Sequence, residues 1–472
     1  MNRLLLCLLV SIATSTELMA QGGGFGGGGF GGGGGGGFGG GGGGGGQFPG
    51  GILIHPDGLI DRAVVAPVTS SSNLKQMQEK ARKSLPRGMN VVSSFRKVSL
   101  RRLEQKVTEL LTEQQPFPED LLYLAGLTRI EAIYIDRENH DVILAGPAEG
   151  FARSKSGRVL GIESGRPVLC LEDLLIALRD EDIVEKTGCS IDPDPERLRD
   201  SQAWLQRNSS PATADVAQAR LEHMIEILGR WNVTTYGAPE DSRIALTMVE
   251  ADYLMKRIAI GIEKVGVRGL KTSFALTAPG DNMMRRWWFV PDYTTIARNE
   301  DSTAWTLEGP RLKLMAQEEV MDQNGNLKDI DLKQKSSEGY AASFNEHLDQ
   351  LTEKVAAFAD LQNIFDMLLA ASIIRRSQES ELITWDAESL LNEEKLPTPV
   401  YRVPRETPSM LNVKMGRGSV VLGVFTGGVT FRSGRMLDDA VSNSTDENQG
   451  AEDRLKVPAA PADQPDRWWW DE

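Results

Sequence analysis

The groups best suited to chemistry gather around one aromatic stretch, Arg285-Arg286-Trp287-Trp288-Phe289-Val290-Pro291-Asp292-Tyr293. As a strand it would set Trp287 and Phe289 on one face and Arg286, Trp288 and Val290 on the other. Large aromatics on both faces suit a strand sandwiched in the core, which is the preferred reading. The alternative is a glycan- or peptide-binding platform with Arg286 and Asp292 at its edge, since aromatic faces offer sugars a flat stacking surface. Ahead of it, Asp252 and Lys256 lie four apart in a stretch of helical period. That order favours a helix ion pair worth about 0.3–0.5 kcal/mol, ahead of an acid–base role. Were the chain an enzyme, Asp252, Lys256 and Asp281 would be the first groups to examine.

Other chemistries find no support in spacing. The four histidines, His55, His140, His223 and His347, are far apart and fit no HExxH or His-x₃₋₅-His pattern. No G-x-S-x-G elbow or P-loop occurs. Asp322 to Asn326 resembles the start of a calcium loop, but its glycine comes two places early and Lys333 stands where a bidentate acid is required. No catalytic residue, metal ligand or cofactor is therefore assigned. Of three cysteines, Cys7 falls in the leader described below, leaving Cys170 and Cys189. In an oxidising compartment these could close a disulfide; the alternative is two buried thiols. The chain ends in Trp468, Trp469 and Trp470 before two acids. Such aromatics in a polar tail suggest docking into a partner groove or a membrane interface, although the acidic approach argues against an anionic bilayer.

Arg3, the apolar run Leu4 to Ala13 and small residues ending at Ala20 have the three-part form of a signal peptide, too short to span a bilayer. Cleavage near Ala20 predicts a secreted, periplasmic or cell-envelope protein. No later stretch reads as apolar enough for a transmembrane segment. Of 49 glycines, 24 lie between Gly22 and Gly51. With almost no side chains to bury, that tract is expected to be a disordered tether. Net charge is −14 overall. A basic footprint is lacking apart from the helical stretch around Lys80, Arg82, Lys83, Arg87, Arg96, Lys97, Arg101 and Arg102, read as a solvated helix face. Nucleic acid is thus a poor partner. An envelope protein or glycan fits better, and the oligomeric state is left open.

The elements that must position these groups alternate in clusters rather than strict βα units, which predicts an α+β fold with short, mainly antiparallel strands. Ser99 should cap a helix over Leu100 to Gln114. Arg129 to Ile135 and Val142 to Ala145 read as a hairpin, Trp231 to Tyr236 as a strand, and Ser242 to Ile260 as a helix. Further helices are expected over Tyr340 to Leu351 and Lys354 to Arg375, and a last hairpin should pair Ser419 to Phe425 with Gly428 to Arg432. The resulting division is a signal peptide (1–20), a glycine-rich segment (21–51), a mildly basic helical lead-in (52–115), an α+β core (116–335), a helical pair with a hairpin (336–436), and a disordered acidic tail (437–472).

Several motifs resemble one family: Thr128 to Ile135 with Val142 to Gly150, Gly188 to Pro193, Gly237 to Lys256, and the Arg286 to Tyr293 strand. The family is a domain of unknown function found chiefly in secreted planctomycete proteins, and the resemblance spans roughly Leu85 to Arg375. It implies an exported bacterial protein with one long domain, and no catalytic residue. The expected function is that of a secreted or envelope binding or structural protein without catalysis; the alternative is an exported hydrolase acting on an extracellular polymer.

Overall fold

The computed structural model describes residues 52–54, 60–62, 71–154, 157–208, 210, 213–278, 284–317, 319–321, 327–329, 335–409, 411–416, 419–438, 441–442, 454–461 and 467–471. The expected signal peptide, the glycine tract, Asp281, the 322–326 turn and much of the tail lie outside them.

Among the described residues, helices combine with two seven-stranded sheets in an α+β fold. The first sheet runs in the order Val441–Ser442, Thr295–Arg298, Ala304–Glu308, Ala132–Asp136, Asp141–Ala148, Ser93–Ser99, Trp469–Trp470. The second runs Lys313–Gln317, Met284–Val290, Ser419–Phe431, Thr187–Asp192, Trp231–Tyr236, Glu406–Thr407, with Leu411–Gly416 also paired to Ser419–Phe431. Most pairs are antiparallel; Met284–Val290 with Ser419–Phe431, and Thr295–Arg298 with Val441–Ser442, run parallel.

Local chemistry accounts for the best-read elements. Asp136 accepts the backbone N–H of Glu138 and Asn139, an Asx turn that folds the Ala132–Asp136 and Asp141–Ala148 strands onto each other. Alternation then sends Ile133, Ile135, Val142 and Leu144 into the main core and Ala132, Tyr134, Ile143 and Ala145 to the opposite face. The Ser99 hydroxyl accepts the Arg102 N–H and starts the helix Leu100–Thr112. Ser242 does the same for Arg243–Ala259.

At the centre lies the helix Ala356–Glu379, apolar and buried almost all round. It packs against the Arg243–Ala259 and Leu171–Arg179 helices and the Ala132–Asp136 strand, while Arg243–Ala259 lies on the second sheet. By length and composition it could cross a membrane, contrary to the expectation that no later stretch is apolar enough. Here protein covers its apolar segment entirely.

Three further expectations are corrected, and the open choice at the two cysteines is decided. Ser419–Phe431 is one continuous strand, not a hairpin, because Gly427 passes Trp287 at φ 122° without reversing the chain. Arg96 and Lys97 belong to a buried strand, not to a solvated helix face. Cys170 and Cys189 are free thiols. Cys170 precedes the Leu171–Arg179 helix with its thiol on the Val168 carbonyl, while Cys189 is fully buried within Thr187–Asp192. Finally, the tail is not free at its end. Trp469–Trp470 adds a strand to the first sheet, and all three terminal tryptophans are buried, because the Ser93–Ser99 edge offers them backbone partners.

Candidate functional site

The residues expected to carry chemistry are placed but do not converge on a cleft. Trp287 and Phe289 are fully buried; Trp287 packs against Tyr340, and Phe289 against Phe344 and Phe358. The other face stays partly open: Trp288 is half-buried and Arg286 stacks over it at 4.6 Å, with Asp192 3.7 Å from the guanidinium. Asp292 lies beyond the strand, its backbone exchanging two hydrogen bonds with Arg311. The Asp252–Lys256 pair forms as spaced, at 2.6 Å, but both side chains are wholly buried rather than on a solvated helix face. Lys256 Nζ also donates to the carbonyls of Gly427 at 3.0 Å and Ile191 at 3.2 Å, so its three protons are all used. Burial pushes the Asp252 carboxyl up to about 6 against the pull of Lys256. Burial also raises the Cys170 and Cys189 thiols, which makes them poor nucleophiles.

A polar network crosses the interior instead. The central helix inserts Asp360, Gln362, Asn363 and Asp366 into the core, all nearly or fully buried. Asp360 meets Arg158 and, at 3.3 Å, Arg243; Arg158 also grips Glu250 at 2.7 Å, and Arg243 grips Asp173 at 2.7 Å. Glu172, beside them, accepts from the Tyr401 hydroxyl. Burial, reinforced by the Asp173 charge, raises the Glu172 carboxyl to about 7. Charges held this tightly in a low dielectric act as structure: each carboxylate has a cation or hydroxyl already seated on it.

Room for a ligand occurs elsewhere. A cleft of about 340 Å³ opens between the ends of three strands of the first sheet, Ser93–Ser99, Ala132–Asp136 and Asp141–Ala148, and the 163–166 loop, lined by Arg129, Glu131, Glu149, Ser164 and Arg166 among others. Glu149 shapes its wall: the carboxylate accepts the backbone N–H groups of Glu163 and Ser164 and the Ser164 hydroxyl. Glu131 pairs with Arg454 at 3.0 Å. Arg166 reaches from the cleft to Gln362 at 2.7 Å and Thr352 at 3.4 Å. Burial and the neighbouring Arg129 charge lower the Arg166 guanidinium to about 10. Arg129 is lowered too, by burial and then by Arg311. Neither arginine stood out in the sequence. The available signal was the set of polar residues interrupting the apolar 356–379 helix, which had to find buried partners.

The fold and this cleft define a mixed α+β protein with one densely ion-paired interior. Residues 189–272 match the model of a family described as a protein of unknown function (DUF1598), a narrower stretch than the expected resemblance. No curated protein and no solved structure matches the chain.

Proposed function

We propose that this is a non-catalytic binding protein, exported to the cell envelope or beyond. The observation that carries the reading is a contrast. The buried carboxylates able to serve as acid or base are held by arginine, lysine or tyrosine, whereas the cleft presents polar side chains around open volume. Binding needs the second arrangement; acid–base catalysis needs the first to be free. Export rests on the three-part leader, and the preferred partner is an envelope protein or glycan.

The test is co-sedimentation of the full chain with insoluble envelope material, with new reducing ends and free amino groups measured in the same tubes. Retention without product is expected, and retention should fall when cleft residues are changed. Glutamates Glu131 and Glu163 on the cleft favour the exported hydrolase as a second reading. Product release that disappears in Glu131→Gln or Glu163→Gln would establish the hydrolase and end the binding reading.

A further inference from the structure

We propose that the cleft beside Arg129 and Arg166 binds an anion, a carboxylate or phosphate group carried by a small ligand. This deepens the binding reading above and rests on it.

The ground is that neither cleft arginine has a carboxylate within ion-pair distance among the described residues. Asp366 acts on Arg129, Arg166 and Arg311, with Glu131 also acting on Arg129 and Asp349 and Glu353 on Arg166, but none of these carboxylates lies at ion-pair distance from Arg129 or Arg166. Asp366 is already committed: it accepts the Ile130 N–H at 3.1 Å, the Tyr293 hydroxyl at 2.9 Å and Arg311 Nε at 3.3 Å. Arg166 donates only to neutral groups, the Gln362 carbonyl oxygen and the Thr352 hydroxyl. Arg129 donates no side-chain hydrogen bond to any described residue. Of the cleft carboxylates, Glu149 accepts from the 163–164 backbone, Glu131 pairs with Arg454, and Glu163 is exposed at the rim.

Deeper in the same molecule the pattern is the opposite, for Arg158 and Arg243 each face carboxylates at ion-pair distance. A half-buried guanidinium with no carboxylate in contact gains from direct pairing, and an incoming anion would supply that contact. Guanidinium suits this task because its planar fork matches carboxylate and phosphate oxygens. About 340 Å³ accommodates an anion the size of a single sugar acid or amino acid.

The test is thermal shift and calorimetry on the full chain at constant ionic strength. Inorganic phosphate and glucuronate are the two anionic probes, and glucose is the neutral match. Phosphate or glucuronate should bind and raise Tm, glucose should not, and the better anion identifies the source. Arg129→Gln should weaken that binding at least tenfold while the free protein keeps its stability, since no hydrogen bond or ion pair of the Arg129 side chain to a described residue is lost. Arg129→Lys should retain part of the binding. Equal anion affinity in wild type and Arg129→Gln would overturn the proposal. So would glucose binding as well as glucuronate, although the binding reading would then survive. Loss of envelope retention together with no anion binding would end both.

Discussion

Arg96 and Asp471, 375 residues apart in sequence, close a two-pronged ion pair of 2.8 and 3.2 Å at the edge of the first sheet. The Arg96 guanidinium lies 4.6 Å over the Trp469 ring, and Arg467 covers the same ring at 3.8 Å. Trp468 and Trp469 enter the main core, while Trp470 joins Phe95, Tyr134 and Leu455 on the far face. The terminal tryptophans thus cap an edge strand of their own chain.

Trp469→Ala should therefore cost about 3 kcal/mol in urea unfolding, because it empties a packed aromatic site and uncovers Arg96. Asp471→Asn should cost less. Despite burial, hydrogen bonds from Arg96 and Ser93 hold the Asp471 carboxyl below its ordinary value. Its contribution is present above the unfolded pKa and is lost as pH falls through the lower folded one. Tryptophan fluorescence should report tail loosening in strong acid and little change near neutrality.

Glu172 predicts the opposite sign. Its folded pKa, about 7, exceeds the ordinary 4.5, so the folded state holds a proton the unfolded chain gives up. The associated stability is full below about pH 4.5 and declines as pH rises towards 7. Glu172→Gln should flatten that decline by roughly 2 kcal/mol, measured by denaturant unfolding at pH 5 and pH 7.5. An unchanged slope in the variant would remove Glu172 as its source.

Lys256→Met should be severe, about 3–5 kcal/mol, since it strands Asp252 without a cation where the carboxylate's second oxygen already lacks a partner among the described residues. Adding Asp252→Leu should recover much of the loss. A double variant no better than the single one would mean that the pair works through the Gly427 and Ile191 carbonyls instead.

Gly427→Ala places a methyl 1.7 Å from the Trp287 carbonyl oxygen at φ 122°, and should unfold or strongly destabilise the second sheet. Gly165→Ala, at φ 70° with open space around it, is the control and should cost only about 1–2 kcal/mol. Calorimetric Tm values for the two variants decide the matter.

Much of the local structure was legible because it rests on local chemistry. Ser99 and Ser242 cap the helices they precede, Asp136 turns its hairpin, and the Trp231–Tyr236 strand follows β-branched and aromatic propensity. Spacing alone paired Asp252 with Lys256. What spacing does not carry is depth: an i, i+4 pair reads the same on a wet surface or in a core.

The terminal tryptophans show the same division. Composition marked them as out of place in a polar tail, because exposed aromatics cost solubility, and suggested docking onto a partner or membrane. Which surface buries them was decided by the fold, which leaves the Ser93–Ser99 edge unpaired and sets Arg96 beneath it. Likewise the sequence determined that Arg129, Arg166 and Asp366 exist as charges, and only the tertiary structure brought both arginines to one cleft near an already occupied Asp366. Propensity and capping act over a few residues and can be read along the chain. Charge balance and edge pairing join residues hundreds of positions apart, and exist only once the chain has folded.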